Sequence, residues 1–158
     1  MAITTIEWTG VESKSALASV LLDEVPIGHV ETADANTWGF FCLPNGEKLT
    51  VGYANLGLVP IGIFIKENIF VGICEIVACF NSNNFEKRFS YRMPCVFHEF
   101  IFFSEELILR DEIGFINISF NGDERWKYLT NGPIDKFEIN ENFIKGTTID
   151  GEGFHFSI

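Results

Sequence analysis

Basic side chains are scarce in this sequence of 158 residues. Eleven lysines and arginines stand against 22 aspartates and glutamates, so the formal net charge is −11 at pH 7. A surface of that charge repels nucleic acid and anionic lipid, and it attracts basic proteins over a Debye length of roughly 8–10 Å. The one local group of cations, Lys87, Arg88 and Arg92, lies among aromatic residues, a pattern that can bind single strands. Three cations on so acidic a chain instead indicate a solvated loop, and we expect no nucleic-acid partner.

Long apolar runs are also missing. The longest ones, residues 58–65 and 69–80, are too short or too interrupted to span a bilayer, which needs about 20 residues. The N-terminus carries Glu7 and Glu12 before its first basic residue, Lys14, and shows no secretory pattern. We therefore expect a cytoplasmic protein without a membrane partner.

Catalytic motifs are absent from the sequence. His98 and Glu99 are adjacent, so on a strand their side chains point to opposite faces and cannot form one acid–base couple. Cys95 lies three residues from His98 without a third member for a nucleophilic triad. No His-x-His, His-Glu-x-x-His, P-loop or nucleophile-elbow motif occurs. These observations predict a protein that is not an enzyme and that has no cofactor and no metal.

The four cysteines do not form a zinc motif. Cys74 and Cys79 are five residues apart in an apparent strand, which would direct their side chains to opposite faces. We expect Cys42, Cys74, Cys79 and Cys95 to be buried, reduced thiols and not a disulfide framework.

Alternation of apolar and polar residues marks the C-terminal half as β-structure. It predicts strands over 113–120, 124–130, 134–140 and 143–148, and a last strand with Phe154, Phe156 and Ile158 on one face. Asn121-Gly122 and Asp150-Gly151 are turn signals. Short strands every 8–12 residues with polar turns between them are typical of an antiparallel meander.

The remaining sequence predicts further strands and one helix. Three segments are apolar at both odd- and even-numbered positions, as in strands that are covered on both faces: residues 57–65, 69–80 and 96–103. Residues 105–110 could form another strand. A hairpin is predicted over 37–43 and 48–53, and a short helix over 13–25, capped by Ser13 or Ser15 and stopped by Pro26. We predict a mainly β fold, one domain over residues 1–158, built as an antiparallel β-sandwich or meander that is partly barrel-like, with one short N-terminal helix.

Acidic residues are denser toward the C-terminus. Residues 1–98 carry a net charge of −4 and residues 99–158 a net charge of −7. Several of these carboxylates fall at predicted strand ends, where loops on a rigid sheet present side chains to a partner. The competing interpretation is solubility and protection of sheet edges. The candidate partner-binding residues are Glu105, Glu106, Asp111, Glu112, Asp123, Glu124, Trp126, Asp150 and Glu152.

A family resemblance covers under half of the chain. Its parts are an acidic-x-Gly step at residues 112–115, an Asn-Gly turn, a strand over 124–128 that carries Trp126, and two closing strands around Asp150-Gly151. This pattern resembles small bacterial β proteins that are encoded beside polymorphic toxins. The acidic, β-rich, motif-free chain is similar to immunity proteins of contact-dependent growth inhibition and related systems. The resemblance implies a protein that binds a cognate toxin domain and blocks its active site or substrate channel, without catalytic residues of its own.

These observations lead to one main hypothesis and two alternatives. We expect a cytoplasmic immunity protein, monomeric or a weak homodimer, that neutralises a cognate toxin domain, basic and of nuclease type, through its acidic surface. The first alternative is a small-molecule- or peptide-binding β-sandwich or barrel without catalytic activity, with phenylalanines lining a cavity. The second is an enzyme that pairs Glu105 or Glu106 with Asp111, for which no motif exists.

Overall fold

The computed structural model describes residues 3–158 and is 56% strand and 5% helix. This composition confirms the predicted mainly β fold with one short helix. The elements in chain order are β1 (Thr4–Val11), α1 (Lys14–Leu21), β2 (Gly28–Glu31), β3 (Thr37–Cys42), β4 (Lys48–Tyr53), β5 (Ile61–Ile65), β6 (Asn68–Ile73), β7 (Ile76–Asn81), β8 (Lys87–Arg92), β9 (Phe97–Phe103), β10 (Glu106–Asp111), β11 (Gly114–Ile118), β12 (Glu124–Leu129), β13 (Ile134–Ile139), β14 (Phe143–Thr148) and β15 (Gly153–Ser157).

The strands form three sheets, which we call the barrel, middle and outer sheets. The barrel sheet has eight strands in the order β2-β4-β3-β1-β5-β6-β7-β8 and curls until it is nearly closed. Its strands pair antiparallel except β2, which runs parallel to β4. The middle sheet, β12-β11-β10-β9, and the outer sheet, β13-β14-β15, pair only sequence neighbours. The meander that the sequence predicts for the C-terminal half is therefore confirmed.

Three clusters of apolar side chains hold the sheets together. Inside the barrel sheet, Phe41, Leu49 and Val51 are fully buried, and their side chains help to fill the interior of the barrel. Phe70, from the barrel sheet, packs in a second cluster between the barrel and middle sheets. A third cluster around Phe115 joins the middle sheet to the outer one. Because the middle sheet is covered on both faces, all five residues of β11 are buried.

The N-terminal helix is confirmed, with a shorter extent than predicted. The Ser13 hydroxyl accepts a hydrogen bond from the Ala16 N–H at 3.0 Å, which is an ordinary N-cap. The helix ends at Leu21, well before Pro26, because Leu22 adopts a positive φ of 51° and turns the chain. Within residues 3–158, no helix combines the length and the apolar character that a membrane crossing requires.

Two segments differ from the sequence-based expectation. Residues 69–80 are two strands, β6 and β7, joined by a turn at Cys74 and Glu75, so Cys74 and Cys79 do not share a strand. The sequence does not reveal that the chain reverses direction here, because the turn contains no glycine, proline or asparagine. The alternation of buried and exposed residues gives no signal either, since odd- and even-numbered positions of both strands are buried. The predicted loop at 87–92 is strand β8, at one edge of the barrel sheet, because its half-buried aromatic residues alternate with exposed polar ones.

All four cysteines are free thiols. Cys79 is fully buried, which raises the pKa of its thiol to about 12. Cys42, Cys74 and Cys95 are only half-buried, so the expectation of burial holds fully for Cys79 alone.

Candidate partner-binding face

The middle sheet separates the acidic candidate residues into two groups. Its strands are antiparallel and consecutive, so the β9–β10 and β11–β12 turns lie at one end and the β10–β11 turn at the other. We call the first group the hairpin end; it contains Glu105, Glu106, Asp123 and Glu124. We call the second group the acidic end; it contains Glu112, Asp150 and Glu152, together with the neighbouring Asp135. The predicted residues therefore do not form one continuous face.

Charge at the hairpin end is partly compensated. Arg125 Nη1 lies 2.9 Å from Glu106 Oε1, and Lys127 Nζ lies 3.3 Å from Glu124 Oε2. The Tyr91 hydroxyl also donates a hydrogen bond to Glu124, and this bond lowers the pKa of that carboxylate. Two of the four hairpin-end carboxylates are thus already paired with cations of β12.

Asp111 is not on the surface. Its side chain is 0% exposed, and its carboxylate accepts hydrogen bonds from the backbone N–H groups of Cys95 and Ile113, each at 2.9 Å. Burial raises the pKa of Asp111, and the backbone N–H donors oppose that shift. The prediction that Asp111 contacts a partner was wrong, because a carboxylate at a strand end can equally hold a turn together.

Trp126 lies in the middle of β12, between the two ends. It is half-buried against the third apolar cluster, and its ring centroid is 5.1 Å from that of Tyr128. Much of its surface therefore stabilises the contact between the middle and outer sheets.

Backbone hydrogen bonds join three turns at the acidic end. The Ile134 N–H donates to the carbonyl oxygen of Glu112, and the Ile149 N–H donates to that of Pro133, each at 2.8 Å. The Asn131 side chain donates to Glu152 Oε1 at 2.8 Å. These bonds bring the β10–β11, β12–β13 and β14–β15 turns to one place and hold them there.

The acidic end keeps its negative charge. Within the part of the chain that the structure describes, none of Glu112, Asp135, Asp150 and Glu152 belongs to an ion pair. Glu112 accepts a hydrogen bond from the neutral Cys95 thiol at 3.2 Å, which leaves its charge in place. Three carboxylates on the joined turns and Asp135 at the start of β13 create a negative potential that reaches beyond the surface.

Two exposed aliphatic side chains accompany these carboxylates. Leu129, the last residue of β12, is 45% exposed, and Ile149, next to Asp150, is 67% exposed. Apolar side chains among charged ones are a common composition for a protein-binding surface. The sequence analysis missed both. The exposure of Leu129 was predictable from the sequence. Leu129 follows Arg125 and Lys127 at every second position, so it lies on the same polar face of an alternating strand.

A concave feature lies at the gap between the two edges of the barrel sheet. It is an open groove of about 550 Å³, which we call the seam groove. Its walls are the residues after β2, the β4–β5 loop, the β6–β7 turn and the last residues of β8. None of the 17 phenylalanines lines it, so this groove is not the phenylalanine-lined cavity of the first alternative.

Comparison with known proteins does not place the chain in a family. No protein family matches it, and no curated protein matches it. Among residues 3–158, no three histidine, cysteine, aspartate or glutamate side chains converge in a way that could hold a metal ion. The features that bear on function are therefore those of the surface that the fold creates.

Proposed function

We propose that this protein binds a basic protein partner through the acidic end, and that the partner is a cognate toxin domain which it neutralises as an immunity protein. The observation that carries the proposal is a set of four carboxylates beside exposed Leu129 and Ile149 that have no cationic partner in the described part of the chain. The resemblance of residues 112–152 to immunity proteins supports the same assignment.

Charge and apolar surface would act at different stages of binding. Before contact, the negative potential of the acidic end accelerates the approach of a basic partner and disfavours acidic ones. After contact, Leu129 and Ile149 can lose their exposed apolar surface to water-free packing, at about 25 cal/mol for each Å² buried. Charge thus contributes to rate and specificity, and the aliphatic pair contributes to affinity.

The acidic end is also prepared for binding. Its turns are connected by backbone hydrogen bonds between residues that are distant in sequence, such as Ile149 to Pro133. A surface that is ordered before contact loses less conformational entropy on binding than a mobile loop does.

The test is calorimetric titration of the protein with the product of the adjacent upstream gene. We expect Asp150→Lys with Glu152→Lys to weaken binding at least tenfold and to flatten its dependence on salt. The matched control is Glu105→Lys with Asp123→Lys at the hairpin end, which should leave affinity within about threefold. No complex at micromolar concentrations, together with no protection of cells from that gene product, would refute the proposal.

The seam groove favours a second candidate function, a small-molecule- or peptide-binding module. A volume of about 550 Å³ falls within the usual range of ligand sites. A thermal-shift screen with small molecules would detect this function by stabilisation that a Leu56→Arg substitution at the groove removes.

A further inference from the structure

We propose that the seam groove accepts an extended segment of the same partner, which adds as a strand to the free edge of β8. This inference rests on the proposed function, because it assigns a second contact to the partner of the acidic end. It also explains why the barrel sheet is left incomplete at one place.

The gap in the barrel sheet differs between its two ends. Strands β2 and β8 are the two edges of that sheet. Where β2 begins, a Cβ atom added to Gly28 would lie 3.1 Å from a ring carbon of Phe80 in β7, so the gap is filled there. Beyond the other end of β2, the groove is open and is lined by Thr32 and Asp34 together with Ser90 and Arg92. A segment that enters must come from this open side.

The edge of β8 offers backbone groups for strand addition. The Met93 N–H donates to the Glu75 carbonyl at 2.8 Å, and hydrogen-bonded pairs alternate along an antiparallel ladder. Ser90 and Arg92 therefore stand opposite Ala78 and Ile76 at the positions that do not bond to β7. Their backbone N–H and C=O groups point away from β7, toward the groove. An added strand satisfies such groups, and this is a recurrent mode of peptide recognition.

The groove walls indicate the side chains that the segment carries. Ile76 is half-buried in the groove, and Leu56 is 59% exposed where it lines the groove. Leu58 and Val59, 36% and 66% exposed, follow in the same loop, and this loop is tied down by the Cys74 thiol, which donates to the Ala54 carbonyl at 3.2 Å. An aliphatic side chain fits this apolar wall.

Charge in the groove favours a basic residue in the segment. Arg92 lies 3.5 Å from Glu75, so these two charges offset one another. Asp34 is exposed and, within residues 3–158, belongs to no ion pair, which leaves the groove with a negative charge. The occupant is thus an extended segment that combines aliphatic and basic side chains, in agreement with a basic partner.

The groove and the acidic end are adjacent. Arg92 lines the groove, and three residues further along the chain the Cys95 thiol donates to Glu112 of the acidic end. One partner can therefore contact both surfaces, with a basic body on the acidic end and an extended segment in the groove. Joining two contacts in this way increases affinity because the second contact forms within the complex.

The test uses two substitutions of the same residue. Ser90→Pro removes the outward N–H group without removing a hydrogen bond to β7, and proline is tolerated at such edge positions. We expect it to weaken binding of the upstream gene product at least tenfold while the dependence on salt stays unchanged. Ser90→Ala keeps the N–H group and should leave the affinity unchanged. Thermal unfolding of both variants checks that the fold is retained.

Hydrogen exchange of the wild-type complex provides an independent measurement. The amides of Ser90 and Arg92 should exchange at least tenfold more slowly in the complex than in the free protein. If a complex forms, Ser90→Pro binds as tightly as wild type and these amides are not slowed, the inference is overturned while the proposed function stands. A wild-type dimer in light scattering that Ser90→Pro makes monomeric would also overturn it, because the edge would then bind a second copy. Failure of wild type and of every variant to bind, together with no protection of cells from the upstream gene product, rejects the proposed function itself.

Discussion

At the scale of single residues, one hydroxyl joins two sheets. Tyr91, on edge strand β8 of the barrel sheet, donates to Glu124 Oε2 on β12 of the middle sheet at 2.5 Å. Burial and this hydrogen bond raise the pKa of Tyr91, and the bond is the largest cause that lowers the pKa of Glu124. A hydrogen bond that is stronger to the ionised acceptor than to the protonated one has a stabilising effect that depends on pH.

Tyr91→Phe should therefore destabilise the protein in a pH-dependent way. At pH 7 we expect the free energy of unfolding to fall by about 0.5–1 kcal/mol, since the Glu124 side chain is partly exposed to solvent. The lowered pKa of Glu124 means that this contribution is present above the ordinary value of 4.5 and is lost as pH falls through the folded-state pKa. Urea unfolding of both proteins across this pH range measures the difference.

Tyr128→Phe is the matched control for that series. The Tyr128 hydroxyl donates to the backbone carbonyl of Ser157 at 2.6 Å, and a carbonyl does not titrate. Its loss should cost a similar free energy at every pH. A Tyr91→Phe effect that is equally constant with pH would contradict the role assigned to the Glu124 carboxylate.

At the scale of elements, the β9–β10 hairpin is closed by an unfavourable turn. Ser104 and Glu105 both have positive φ, 48° and 63°, a conformation that residues with a Cβ atom adopt at a cost. Two-residue hairpin turns of this kind favour Asn-Gly. Replacing Ser104-Glu105 by Asn-Gly should raise the free energy of unfolding by about 1 kcal/mol in chemical denaturation.

The control for this turn is the opposite substitution elsewhere. Gly151, at φ 83°, has no atom within 4 Å of an added Cβ, so Gly151→Ala isolates backbone strain. It should lower stability by about 1 kcal/mol. If neither the Asn-Gly replacement nor Gly151→Ala changes the free energy of unfolding, backbone strain at positive φ does not affect the stability of this fold.

At the scale of the whole molecule, stacking of the sheets depends on close contact at Gly72. A Cβ atom added there would lie 2.1 Å from a ring carbon of Phe97, which is buried between the barrel and middle sheets. Gly72→Ala should cost about 1–3 kcal/mol, because the ring or the sheets must move. Gly10→Ala is the control, since its nearest neighbour, Trp8 Nε1, would be at 3.8 Å. Equal midpoints for the two variants in thermal unfolding would exclude this contact as a determinant of sheet packing.

Most of the strands and turns that were predicted correctly have a signal within a few neighbouring residues. The strands of the C-terminal half and the helix cap at Ser13 were predictable, because alternation and capping are properties of neighbouring residues. Strand β8 also carries a local signal, the alternation of aromatic and polar residues, but its cations led to the prediction of a loop. Strands β1 and β2 and the chain reversal at Cys74 were not predicted, and only their pairing in the barrel sheet reveals them.

The difference between local and tertiary signals also applies to the candidate partner-binding residues. The sequence by itself determined the excess of negative charge and its concentration toward the C-terminus, because both follow from composition alone. Only the tertiary structure decided that Asp111 is buried and that Glu106 and Glu124 have cationic partners. It also decided that the carboxylates beside Leu129 and Ile149 have no such partner among residues 3–158. The physical reason is that ion pairing and burial depend on which strands and turns become neighbours, and the register of the sheets decides that after the local pattern has formed its strands.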